Sequence, residues 1–74
     1  MLKKGIYKHI TSGNLYKVIG IGRHVDNPEK LLAVYKQLYT SKLRGSDIEL
    51  PIGYIWTRNY DDFNNSNKFV FVEE

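Results

Sequence analysis

The run from Pro28 to Tyr39, Pro-Glu-Lys-Leu-Leu-Ala-Val-Tyr-Lys-Gln-Leu-Tyr, is the longest and most apolar stretch of the chain, and in 74 residues every other segment must pack against it. As a helix it would take Asn27 as its cap and Pro28 as its first residue, with Leu31, Leu32, Tyr35, Leu38 and Tyr39 recurring along one stripe. As a strand it would place Leu32, Val34 and Leu38 on one face and Leu31, Ala33, Tyr35 and Tyr39 on the other, the two-sided apolarity of a central strand. Taken alone, the run supports both, so the flanking segments have to arbitrate.

Those segments read as β. Gly5-Ile-Tyr-Lys-His-Ile10 has the β-branched and aromatic content of a strand, and Thr11-Ser-Gly-Asn14 is a cluster of turn residues in which Gly13 and Asn14 tolerate positive φ. The returning Leu15 to Ile21 puts Tyr16 and Val18 on one side and Leu15, Ile19 and Ile21 on the other, with Gly20 and Gly22 marking bulges or close backbone approach. Arg23 to Pro28 is polar and reads as a break, where Pro28 biases Asn27 away from the helical region. Thr40 to Asp47, continuing through Pro51, reads as a long surface loop. Gly53 to Arg58 alternates Tyr54, Trp56 and Arg58 against Ile55 and Thr57. Asn59 can cap one helical turn, Tyr60 to Phe63, with Asp62 favoured by the helix dipole. Asn64 to Asn67 then turns the chain into Lys68 to Val72, where Phe69 and Phe71 oppose Val70 and Val72. No repeat or linker divides the chain, so residues 1–74 read as a single domain. Its expected core is Tyr16, Val18, Leu32, Val34, Leu38, Ile55, Trp56 and Phe69.

A domain of this size buries only about 60% of the surface that its unfolded chain exposes, so its stability is marginal. It contains no cysteine, which excludes a disulfide scaffold or a thiolate metal site and fits a reducing compartment. No apolar run approaches the roughly 18 to 20 residues that span a bilayer, and Met1-Leu-Lys-Lys4 lacks the hydrophobic stretch of a signal peptide. The expectation is a cytoplasmic protein without a membrane partner. Charge is uneven: Met1 to Arg44 holds nine Lys or Arg and two acids, whereas Gly45 to Glu74 holds two and six. The basic half attracts polyanions, while a modest net charge also serves solubility.

Gly5-x-Tyr7-x-His9, Gly13-Asn14-x-Tyr16, Gly22-Arg23-His24, Val34-Tyr35 with Leu38-Tyr39, and Trp56-x-Arg58 with Phe63 occur in an order that resembles the small bacterial and phage family called domain of unknown function 1653, over nearly the whole chain. Asn59 departs from the proline usual after Trp-x-Arg, and Thr40 to Gly53 is longer than the family's short hairpin. The resemblance implies a compact SH3-like barrel, and hence a strand for the central run; it brings no assigned activity. The fold class expected is therefore all-β, an SH3-like barrel of about five strands with one short helical turn.

Catalytic chemistry has little to stand on. His9 and His24 would need a carboxylate such as Asp26 to hold a metal, and otherwise would donate to backbone carbonyls at strand ends. Gly20-x-Gly22 lacks the third glycine of a dinucleotide fingerprint, and no Walker-type lysine follows a glycine-rich turn. Ser12 and Ser41 sit in turn-like clusters without a nucleophile elbow, and Asp61 and Asp62 suit capping. No catalytic residue, cofactor or metal is assigned. The candidate ligand-binding residues are Tyr7, His9, Arg23, His24, Tyr35, Trp56 and Arg58, aromatic and basic side chains that a barrel could gather on one rim. Against that stands core filling by the aromatic residues, with Arg58 paired to an acid. Three function classes follow: a module binding a protein or an anionic ligand, a nucleic-acid-associated module as the less favoured partner choice, and a small metal-dependent or hydrolytic enzyme as the weakest.

Overall fold

Turn chemistry sets the first hairpin. The computed structural model describes residues 2–65 and 67–74, with only the backbone of Asn65. Strand β1 (Gly5–His9) ends at a loop in which the His9 amide donates to the Asn14 carbonyl (2.8 Å) and the Gly13 amide to the His9 carbonyl (2.8 Å). Gly13 adopts φ 77°, as the turn reading requires, whereas Asn14 does not enter the positive region. Strand β2 (Leu15–His24) pairs back with Tyr7 opposite Tyr16 and Gly5 opposite Val18.

The central run is a strand. β3 (Asn27–Gln37) pairs antiparallel with β2, and the segment read as a polar break belongs largely to this hairpin: Arg23 pairs with Leu31 and His24 with Asn27, leaving Val25 and Asp26 to turn the chain. The Arg23 Nη1 donates to the Pro28 carbonyl (2.7 Å), bracing an end where proline contributes no amide.

The presumed loop is also ordered. β4 (Ser41–Lys42) and β5 (Glu49–Leu50) form a short hairpin closed by the Leu43 amide on the Ile48 carbonyl (2.9 Å), and Leu50 is buried. β6 (Ile55–Asn59) leads into α1 (Tyr60–Asn65), preceded by Asn59 and carrying Asp61 and Asp62 in its first turn, and β7 (Phe69–Glu73) ends the chain. Of the turn expected between Asn64 and Asn67, Ser66 lies outside the described residues, as does Met1 of the N-terminal segment.

The five-stranded antiparallel sheet has the order β6-β3-β2-β1-β7. The fold is all-β with one short helix, but β6 and β7 do not pair with each other among the described residues, so the sheet is open rather than a closed SH3-like barrel. At the β1–β7 seam Gly5 adopts φ 142°, and a Cβ there would stand 2.6 Å from the Glu73 carbonyl oxygen, so only glycine fits.

Register identifies the core face and corrects the expected one. Tyr7, Val18, Ala33, Tyr35 and Phe63 are buried together, with Leu2, Tyr16, Trp56 and Phe69 packed against them. On β3 the inner face is therefore Ala33, Tyr35 and Gln37, not Leu32 and Val34, which remain half-buried on the outer face; Leu38, one residue past the strand, is likewise only half-buried. Ile55, expected in the core, is 56% exposed, because alternation along β6 turns Trp56 and Arg58 inward. A register shift between Val18 and Gly20 adds one residue to β2, so Ile21 comes opposite Ala33 on the inner face rather than beside Leu15 on the outer one.

Candidate functional site

The sheet register brings Arg58 to a distinctive position. It stands opposite Ala33, whose small side chain is fully buried, and its guanidinium lies over the ring of Phe69 at 5.5 Å from the centroid. Phe69 comes from the opposite edge strand, so this contact reaches from β6 to β7 across the inner face. The same ring stacks on Phe63 (4.1 Å, 13° between planes) and meets the edge of His9 (5.0 Å). Tyr16 and Tyr35 approach it at 5.9 and 6.1 Å. Arg58 is half-buried, and among the described residues it has no ion-pair partner, so the expected pairing to an acid is not what holds it.

Six of the seven sequence candidates fall into three pairs. Tyr7 and Tyr35 are core: Tyr7 donates its hydroxyl to the Lys3 carbonyl (2.8 Å), and Tyr35 tilts against Phe63 (5.0 Å). His9 and Arg58 converge on Phe69. Arg23 and His24 lie at the far tip of the β2–β3 hairpin, with the Asp26 amide donating to the His24 Nδ1 (3.2 Å). His9 Nδ1 meets the Ser12 hydroxyl (3.1 Å). Both histidines hold turns, through a side chain or an amide rather than by donating to carbonyls. They sit near opposite ends of β2, about 30 Å apart at strand rise, and no three His, Asp or Glu gather among the described residues.

Trp56 does not lie under Arg58. Its indole N–H donates to Gln37 Oε1 (3.0 Å) and its ring tilts against Tyr54 (5.5 Å), so the aromatic base beneath the guanidinium is Phe69. Sequence reasoning did not single out Phe69, Tyr16 or Tyr39 as site residues. The available signal was period-two alternation, which puts Tyr35 and Tyr39 on one face of β3 and its continuation.

Tyr16 and Tyr39 share a hydroxyl–hydroxyl hydrogen bond beside this cluster. Burial, then the bond to Tyr39 and the neighbouring Tyr39 and Tyr35 hydroxyls, push the Tyr16 hydroxyl well above the ordinary tyrosine range, with Arg58 pulling the other way. Burial also raises Tyr7. A raised folded-state pKa means that the neutral form contributes stability below the unfolded value of about 10, lost as pH climbs from there toward the folded value. Tyr7 and Tyr16 should therefore ionise above the ordinary tyrosine range in an alkaline absorbance titration, and urea melts should weaken above about pH 10. Tyr16→Phe should flatten that decline; an unchanged pH profile in the variant would show that Tyr16 is not its source.

No curated protein and no solved structure matches the chain. The family model described as protein of unknown function (DUF1653) matches residues 5–70, from the start of β1 into β7. With the model covering nearly the whole sheet and every residue that meets Phe69, the chain belongs to the DUF1653 family.

Proposed function

We propose that the chain is a small binding module that takes an anionic group, on a protein or a small ligand, at Arg58, with Phe69 and His9 forming the floor and side of the site. The observation that carries this reading is the half-buried guanidinium laid on an aromatic ring with no carboxylate beside it among the described residues. A guanidinium fixed by stacking keeps donors for a carboxylate or phosphate and loses little freedom on binding. The Tyr16 ring meets that of Phe69 at 5.9 Å, and its hydroxyl, bonded to that of Tyr39, adds a polar pair to the surroundings of the site. A cysteine-free domain suits a reducing cytoplasm. Among the described residues no helix is long and apolar enough to cross a membrane.

Titration with phenyl phosphate and with benzoate, followed by the Arg58 side-chain N–H resonances and by the backbone amides of His9 and Phe69, which remain as reporters in an Arg58 variant, tests the site. Those resonances should shift on saturation, only mildly weakened by salt, because one anion is bound rather than a polyanion. Arg58→Ala should abolish the response while lowering stability by no more than about 1 kcal/mol, the size of an exposed cation–π contact. A large loss of stability with ligand response intact would make Arg58 a structural residue and end the proposal.

A further inference from the structure

The outer face of the sheet carries a feature that folding alone does not favour. Lys17 on β2 stands directly opposite Lys36 on β3, a like-charge pairing that costs stability. Lys8 on β1 shares that face, paired with Leu15, two residues from Lys17. Lys3 and Lys4 line a surface groove with Lys17 and Glu74. Among the described residues Lys8, Lys17 and Lys36 make no ion pair; the lateral row from Lys36 through Lys17 and Ile6 ends at Glu73, about 10 Å beyond Lys17 at ordinary strand spacing. The cluster gathers charge from the basic half of the chain and pairs none of Lys8, Lys17 and Lys36 with an acid.

We infer that this face docks on the sugar-phosphate backbone of a nucleic-acid duplex, without reading sequence, as an activity separate from the anion site on the inner face. Lys8, Lys17 and Lys36 sit on three adjacent strands, spanning about 10 Å, which is comparable with the roughly 12 Å major groove and its flanking phosphates. Register turns the strand aromatic residues Tyr7, Tyr16, Tyr35, Trp56, Phe69 and Phe71 inward. The outer face therefore has no platform for stacking unpaired bases and no aromatic anchor for a lipid interface. Lysines among Ile6, Leu15 and Ile55 present point charges, which suit phosphates rather than base edges.

Fluorescence anisotropy with a labelled mixed-sequence duplex, a scrambled duplex and phosphatidylserine vesicles tests the inference. Both duplexes should bind equally, with log affinity falling against log salt at a slope of about −3 for the phosphates that Lys8, Lys17 and Lys36 neutralise. The double variant Lys17→Gln, Lys36→Gln should bind at least about tenfold more weakly and lose about 2 from the slope, while Arg58→Ala binds as the parent does. Relief of the like-charge pair should leave the double variant's urea midpoint equal or higher; if it nonetheless fails to fold, Lys8→Gln should remove about 1 from the slope. No duplex binding at low salt, equal binding by the lysine variants, or retention on vesicles without duplex binding would each overturn it.

Discussion

Phe63→Ala should remove roughly half of the protein's folding stability. Phe63 is 2% exposed and belongs to a six-residue helix too short to persist without tertiary contacts. Its ring stacks on Phe69 and meets Tyr7 (5.3 Å) and Tyr35 (5.0 Å), so one side chain joins aromatic groups from β1, β3 and β7. Removing such a ring costs about 3 to 5 kcal/mol, against a total of about 4 to 11 kcal/mol for a chain of this length. No disulfide offsets the loss. The urea midpoint should fall accordingly and the aromatic near-ultraviolet dichroism should weaken. Phe63→Leu should retain most of the stability while loosening Phe69, so that the Arg58 response to phenyl phosphate weakens before the fold does. A Phe63→Ala melt indistinguishable from the parent would mean that α1 does not close this core.

How much of this was legible in the sequence depends on which residues carried the signal. The β1–β2 turn was readable because Thr11-Ser-Gly-Asn14 has few other uses, and the β assignment of β6 and β7 followed from alternation. The central run was ambiguous because its apolar residues satisfy both helical and strand periods; the pairing of Lys17 with Lys36 and Val18 with Tyr35, which makes it a strand, is non-local. The inner face of β3 was misassigned for a related reason. Leu32, Val34 and Leu38 are more apolar than Ala33, Tyr35 and Gln37, yet the core is built from rings supplied by five other elements, and beside them a small Ala33 and an amide fit better than branched aliphatics. Alternation put Arg58 on the same face of β6 as Trp56, but its partner Phe69 lies in β7, joined to it through sheet order alone. Arg23 and His24 were attractive by residue type and proved to be hairpin braces.

Gln37→Leu should cost about 3 kcal/mol, although the replacement is apolar and nearly equal in size. Gln37 is fully buried, and its amide is saturated: Nε2 donates to the carbonyls of Leu50 (2.9 Å) and Pro51 (3.0 Å), and Oε1 accepts from Trp56 Nε1 (3.0 Å) and the Ser41 hydroxyl (3.2 Å). Two carbonyls on one side and two donors on the other admit only one orientation of the amide. A leucine removes the acceptor of the Trp56 N–H and one of the donors to the buried Leu50 carbonyl, and a lost partner costs about 1 to 3 kcal/mol where water cannot reach. The Ser41 hydroxyl and Pro51 carbonyl, only partly buried, recover bonds to water. The Gln37 main chain remains bonded to Tyr54 (3.0 Å) and Gly53 (2.8 Å), which keeps β6 on β3. The damage should therefore concentrate in the β4–β5 hairpin, which the side chain ties to the sheet. Hydrogen exchange should show the amides of residues 41–50 losing protection before those of β1 to β3, and Trp56 fluorescence should shift to the red. If the variant melts within about 0.5 kcal/mol of the parent, the range of a surface change, the hairpin is held by Leu50 packing and the amide is incidental.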